Sequence, residues 1–301
     1  MARKCLLIYN PFSGNDSTTE VELLEMAKVK LSDFEVELWK TTGEHDESKI
    51  LAKYEEFKPD LVMIGGGDGT VKLVAKCLHR KQTPLCVLPL GSANGLAKCL
   101  GINDIVDSWE AVRDFDIHPI DAIDINGELC LHLADFGINA NLIQKFEQEE
   151  SRGMLGYVKN SFSEIFGTEA KSFRLTIAEK AIELRAKMIV IANGDQYGTG
   201  AIVNCKGLMD DGKFEIIALN PETVEDYIRM TMAFFKGDLD QVEGIKTWAV
   251  EECQLLNPEG AEFQIDGEMM GTVESITAKI QKHAFQFLVG KSFAACHTSS
   301  D

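Results

Sequence analysis

The sequence predicts an α/β + β protein, with an N-terminal doubly wound α/β domain followed by an antiparallel β-sandwich. Three observations carry this. Residues 1–119 alternate short apolar runs with amphipathic helical stretches, as parallel strands joined by crossover helices do. After Pro119 strand-like runs are punctuated by Asn126-Gly127, Asp211-Gly212 and Asp266-Gly267, dipeptides that supply the positive φ angles of two-residue hairpins. The 301 residues, 45% hydrophobic, are enough for two cores.

In chain order, the apolar run 5–9 is the first strand. Ser17-Thr18-Thr19-Glu20 is a capping box opening a helix whose apolar face is Val21, Leu24, Ala27 or Lys28, and Leu31. A strand over 34–39, a helix over 47–57 and a strand over 61–64 follow, the last running into glycines. Next come a helix over 70–78, a strand over 85–89 and a helix over 93–100. The second half carries helical insertions at 154–166 and 224–235. The apolar run 284–289 is a final strand that rejoins the first domain, which gives boundaries of 1–119 plus 285–301 and of 120–284.

Net charge is −18, from 30 Lys and Arg against 48 Asp and Glu, so the whole-molecule field repels nucleic acid and anionic head groups. The eight cysteines are scattered without a Cys-x-x-Cys pair, the usage of a reducing compartment. With no signal-like h-region and no run long enough to span a bilayer, a cytoplasmic protein is expected. The six histidines lack zinc-ligand spacing, and no Gly-x-Ser-x-Gly elbow is present.

The most informative stretch is 61–71, Leu-Val-Met-Ile-Gly-Gly-Gly-Asp-Gly-Thr-Val. Glycines let a backbone approach phosphate oxygens, and the following helix start offers unpaired N–H groups. Asp68 would repel phosphate unless it orders a metal or a hydroxyl, which makes it more telling than its glycines. The stretch is neither a Walker A sequence nor Gly-x-Gly-x-x-Gly. Asn10-Pro11-Phe12-Ser13-Gly14 and Pro89-Leu90-Gly91-Ser92-Ala93-Asn94-Gly95 follow strands in the same way, and turns at the carboxyl ends of such strands line one crevice.

Together these motifs resemble the diacylglycerol kinase catalytic-domain family, which includes bacterial lipid kinases, sphingosine kinases and ceramide kinases. The family's order continues through Asp124-Ile125-Asn126-Gly127, Phe136-Gly137-Ile138-Asn139-Ala140, Ala192-Asn193-Gly194, Tyr197-Gly198-Thr199-Gly200, Asp211-Gly212 and Ile265-Asp266-Gly267-Glu268. The resemblance implies an NAD kinase-like α/β domain, with ATP bound between it and a β-sandwich. It assigns the nucleotide to Asn10, Pro11, Phe12, Ser13 and Gly14, to Thr41 and Thr42, to Gly66, Gly67, Asp68, Gly69, Thr70, Val71 and Lys72, and to Ser92 and Asn94. Asp68 would hold catalytic Mg2+ and phosphates, and Glu268 or Asp266 would take the proton from a lipid hydroxyl. An extended Asp-Gly-Glu would project both carboxylates to one side, although Asp266-Gly267 alone is a hairpin signal. A structural Mg2+ is implied at Leu208, Asp211 and Lys213.

Position 72 is Lys where bacterial relatives usually have Asn, position 95 is Gly where many have Asp, and position 139 is Asn where many have Asp. Asn94-Gly95 is closer to the sphingosine and ceramide kinase forms. The expected partners are a lipid substrate met in transient contact with a membrane surface, no nucleic acid, and a homodimer as one admissible assembly. Apolar stretches at Met154, Leu155, Tyr157, Val158, Phe162 and Ile165 and at Tyr227, Met230, Thr231, Phe234 and Phe235 are core faces or, if exposed, lipid-facing ones. An NAD kinase and a catalytically weak nucleotide- or lipid-binding regulator are the alternative readings.

Overall fold

The structure, a computed structural model, describes residues 2–14, 20–137, 169–197, 202–204, 207–238 and 242–293. The chain divides into two compact units, residues 1–120 with 283–301, and residues 121–282.

In the first unit, β1 (Arg3–Tyr9), β2 (Phe34–Lys40), β3 (Leu61–Gly66) and β4 (Leu85–Pro89) form a parallel sheet in the order β2-β1-β3-β4. Their connections are α1 (Glu20–Lys30), α2 (Asp46–Phe57) and α3 (Asp68–Cys77), with α4 (Gly95–Cys99) and α5 (Ile105–Asp114) after β4. Cys5 to Ile8 and Leu61 to Ile64 have no exposed surface, which is why these strands read as unbroken apolar runs. The capping box at 17–20 lies largely outside the described residues. The inward face of α1 is Leu23 and Ala27 rather than the expected Val21, which is 64% exposed. Helix α5 escaped the reading of the sequence. It is capped by Asp104, whose Oδ1 accepts from the Val106 and Asp107 amides, and it buries only Ser108, Trp109, Ala111 and Val112.

The second unit holds two antiparallel layers. One runs β12 (Lys246–Val250), β11 (Phe214–Leu219), β10 (Met188–Ala192), β7 (Leu133–Phe136), β14 (Glu262–Ile265), β15 (Glu268–Thr272). The other pairs β9 (Lys180–Ala186), β8 (Lys171–Ile177), β13 (Glu252–Leu256) and the start of β16 (Ser275–Leu288). The hairpin β5 (Ile117–Ile125) and β6 (Glu128–Cys130) turns at Asn126 and Gly127, both at positive φ. Between the layers lies one core, in which Phe136 stacks on Phe263 at 4.4 Å and meets Phe173 edge-on at 5.7 Å.

Strand β10 shows why the second domain also contains unbroken apolar runs. Ile189 and Ile191 join the inter-layer core, whereas Met188, Val190 and Ala192 join a second cluster with Met230 and Ala233 of α6 (Val224–Lys236). The sheet is therefore covered on both faces. Met230 is core, and among the described side chains of α6 Ile228 and Met232 are exposed. The side chains of Tyr227, Thr231, Phe234 and Phe235, and the whole of 154–166, lie outside the described residues.

Asp266-Gly267 is a hairpin turn, with Ile265 opposite Glu268. Asp211-Gly212 is not, because β10 and β11 are joined by the long connection 193–213. There Asp211 only closes a local turn by accepting from the Lys213 amide. Near its end β16 reaches positive φ at His283, where the second unit stops and the first resumes, and Phe287 then pairs with Leu85 of β4.

Phe136→Ala would remove the ring shared by both layers of the sandwich. The expected loss is about 3–5 kcal/mol of unfolding free energy in urea titrations.

Candidate active site

In the first unit the three glycine-rich turns are brought together by named bonds. The turn after β1 is anchored by Asn10, whose amide donates to Gly65 O at 2.9 Å and whose Nδ2 donates to Thr70 Oγ1 at 2.9 Å. The same side chain accepts from the Phe12 amide at 3.0 Å, which folds the turn over. Asp68 ties the turn after β3 to the turn after β4. Its Oδ2 accepts from the Gly95 amide at 2.9 Å and its Oδ1 from the Leu96 amide at 3.0 Å, so one carboxylate takes two of the amides that a helix start leaves unpaired. Asn94 closes the last turn on itself. It sits at φ 53 and exchanges bonds with Gly91, accepting from N at 2.9 Å and donating to O at 2.6 Å.

Two kinds of glycine meet here. A Cβ on Gly91 would stand 2.4 Å from Gly67 Cα, and one on Gly66 would strike the Thr70 side chain at 2.5 Å. Gly91 is glycine because backbone packs on backbone, and Gly66 because the Thr70 side chain fills the space of its missing Cβ. Gly69 differs. It is exposed, its φ is not in the left-handed region, and nothing lies within 4 Å of where its Cβ would be. Neither packing nor conformation requires a glycine there.

The other predicted nucleotide residues sort by exposure. Pro11, Phe12, Gly14, Gly69 and Ser92 are exposed, Phe12 by 80%, and Ser13 is half-buried. Thr41, Thr70, Val71 and Lys72 are buried. Thr41 donates its amide to Tyr9 O, which places the Thr41-Thr42-Gly43 loop beside the end of β1. That loop is built by Asp46, a residue the sequence reading passed over. Asp46 accepts from the Thr42 amide at 3.0 Å, the Thr42 hydroxyl at 2.8 Å and the Gly43 amide at 2.8 Å. Its signal was available, because an acid at the start of the predicted helix, four residues after a threonine, commonly closes such a loop. Burial alone would push its carboxyl up, but the bonds from Thr42 and Gly43 and the Lys49 charge outweigh it, and the net shift is downward.

In the second unit the Asp266-Gly267-Glu268 segment is turned rather than extended, with φ 51 at Asp266 and 85 at Gly267. The expected same-side projection of the two carboxylates therefore does not hold. Asp266 is spent on structure. It accepts from the amides of Leu131 at 3.1 Å, His132 at 2.9 Å and Leu133 at 3.3 Å, while its own amide donates to Leu133 O. Glu268 is exposed. Leu208, Asp211 and Lys213 lie in the turn segment that leads into β11. Next to them Asp121, fully buried, accepts from the Gly212 amide at 2.7 Å. Among the described residues no three His, Cys, Asp or Glu side chains gather as a ready metal centre. A hard cation at Asp68 would need phosphate oxygens to complete its shell, the usual way Mg2+ is held.

Residues 4–125 match the diacylglycerol kinase catalytic domain, and residues 133–289 match the YegS C-terminal NAD kinase beta sandwich-like domain. A probable lipid kinase YegS-like protein of Pseudomonas aeruginosa is 28% identical over 212 residues, 69% of each chain. A diacylglycerol kinase of Bacillus subtilis is 22% identical over 289 residues, covering 93% of this chain and 95% of that one. Among solved structures, a diacylglycerol kinase from Bacillus anthracis superposes with TM-score 0.73 at 20% identity, covering 96% of this chain and 98% of the other. An NAD kinase from Archaeoglobus fulgidus in complex with ATP superposes at 0.53 and 15% identity, covering 98% and 97%.

The Asp46 loop gives a pH signature. The folded pKa of Asp46 lies below the ordinary carboxylate value of 3.8, so its contribution is complete above that value and is lost as pH falls through the lowered folded pKa. Wild type should exceed Asp46→Asn in denaturant stability at pH 7, and the gap should close as titrations are repeated below pH 3.8.

Proposed function

The chain belongs to the family of lipid kinases that join a diacylglycerol kinase catalytic domain to a YegS-type β-sandwich, and from that premise we propose that it transfers the γ-phosphate of ATP to a hydroxyl of a diacylglycerol- or sphingosine-like lipid. The observation that carries the proposal is the joining of three glycine turns in one unit, with Gly69 left open where neither packing nor φ requires it. A phosphate oxygen approaching the first amides of α3 would use that space.

In this reading the turns 10–14, 66–72 and 91–95 cradle the phosphates, and the 41–43 loop borders the nucleotide. The acceptor hydroxyl attacks the γ-phosphorus, the bond to the β,γ-bridging oxygen breaks, and ADP leaves. The proton of the hydroxyl passes to Glu268, since Asp266 already accepts three amides. Asp68 keeps lone pairs beyond the two it uses at α4, and with phosphate oxygens these would hold Mg2+. The ion supplies neutralisation of the charge developing on the leaving phosphate. A second Mg2+ would sit at Asp211 with main-chain oxygens of Leu208 and Lys213. The lipid acceptor brings the enzyme into transient contact with a membrane surface, by apolar rather than ionic attraction given the net charge of −18.

Purified protein with labelled ATP, Mg2+ and a panel of diacylglycerol, monoacylglycerol, sphingosine, ceramide and phosphatidylglycerol should phosphorylate at least one lipid. NAD serves as a control acceptor. Labelling of NAD alone, or of nothing, would sink the proposal. Gly69→Ala should leave the melting temperature unchanged or slightly raised, because alanine is the better helix former by roughly 1 kcal/mol. The same variant should weaken ATP binding in calorimetry by tenfold or more. Unchanged ATP affinity would remove Gly69 from the phosphate cradle.

A further inference from the structure

A string of buried polar groups stands beside the Asp266-Gly267 turn. Asp135 of β7 is fully buried and Gln264 of β14 is 4% exposed. The two are direct cross-strand partners. They lie on the face of the sheet opposite Phe136 and Phe263, the face that also receives Leu133. Asp135 Oδ2 accepts from Gln264 Nε2 and from the Tyr197 hydroxyl, the latter at 3.3 Å. Gln264 Oε1 accepts from the Gly267 amide at 2.7 Å.

The direction of every bond in this string is forced. A carboxylate only accepts, so Gln264 must turn its NH2 group to Asp135, and its oxygen is then the atom left for the Gly267 N–H. Glutamate at 264 could not serve both ends, and methionine would fill the space while serving neither. Burial and the neighbouring Asp135 charge push the Tyr197 hydroxyl well above its usual range, so it remains a donor. A carboxylate, an amide and a phenol in this setting cost desolvation that an apolar cluster would avoid.

What the string reaches is the peptide before Glu268. Gly267 is the most pliable link of the hairpin, at φ 85 with nothing within 4 Å of its missing Cβ. The turn is pinned on one side by the Asp266 carboxylate on residues 131–133 and on the other by Gln264 on the Gly267 amide. We propose that Gln264, held by Asp135 and Tyr197, is the positioning residue for Glu268, fixing the direction in which the base leaves the turn. This rests on Glu268 being the base of the phosphotransfer.

The test is a double-mutant cycle on the full-length protein, with labelled ATP and whichever lipid the panel identifies. Gln264→Met should lower kcat by roughly tenfold or more while the KM for ATP stays within about twofold, since a misplaced base slows chemistry and leaves nucleotide binding alone. In a Glu268→Gln background the same change should cost nothing further, because a residue acting only through the base has no effect once the base is gone. A purely structural role would give losses that multiply. If Gln264→Met melts out, Tyr197→Phe takes its place in the cycle, with an expected fall in kcat of roughly threefold that likewise vanishes beside Glu268→Gln. Wild-type kcat in the variants that fold, or multiplying losses, overturns the proposal while leaving the kinase reading intact. Full activity of Glu268→Gln alone overturns the assignment of the base, and the proposal with it.

Discussion

Two hydrogen bonds accepted by one carboxylate organise the glycine turns of the first unit. Asp68 stands at the start of α3, and by accepting from Gly95 and Leu96 it fastens the start of α4 to it. The bonds are charge-assisted and use amides that no carbonyl of α4 can satisfy. Alongside these bonds the backbones at Gly67 and Gly91 come into contact, which excludes a Cβ from Gly91 and leaves one on Gly67 only 3.1 Å from Gly91 Cα. Asn10 then adds the first turn through Thr70. Remove the carboxylate and the turn after β4 loses its side-chain tie to the other two, which stay joined through Asn10. The glycines of this region therefore have three origins: close approach of chain to chain at 67 and 91, the Thr70 side chain at 66, and an opening at 69.

The same economy governs the hairpin of the second unit, where the two acids of Asp266-Gly267-Glu268 have opposite work. Asp266 is locked onto three amides of the 131–133 segment, and its φ of 51 makes it part of a turn. Glu268, two residues on, stays at the surface. A carboxylate already accepting several N–H groups is a poor proton acceptor because its charged form is stabilised. One acid shapes the hairpin so that the other can be presented by it.

Much of this was legible from the residues. Apolar runs at 5–9, 61–64 and 85–89 announced buried parallel strands, and Asn126-Gly127 and Asp266-Gly267 announced hairpins, because strand burial and turn chirality are local properties. Asp211-Gly212 misled because the same dipeptide also closes turns inside long connections, and nothing local says whether strands flank it. Val21 misled because α1 drifts to Leu23 and Ala27, a choice made by the sheet it covers. Asp46 and Gln264 were missed for a further reason. Their value lies in which groups they meet, and Gln264 links the nearby Gly267 amide to the Asp135 carboxylate on a strand far away in sequence, so no spacing in the sequence betrays it. The bonding of Asp68 to Gly95 belongs to the same class: its oddity was visible, its partners were not.

We expect the tie of the turn after β4 to the other two, through the Asp68 carboxylate, to complete one phosphate site. It is tested most directly by amide-resolved NMR of the wild type and of Asp68→Asn during titration with ATP and Mg2+. In the wild type the amides of residues 10, 12–14, 67–70 and 91–96 should move together with a single dissociation constant. In Asp68→Asn the Gly95 and Leu96 signals should already be displaced without nucleotide, and the joint response should be lost. Concerted movement that survives in the variant, or wild-type shifts that spare these turns, would contradict it.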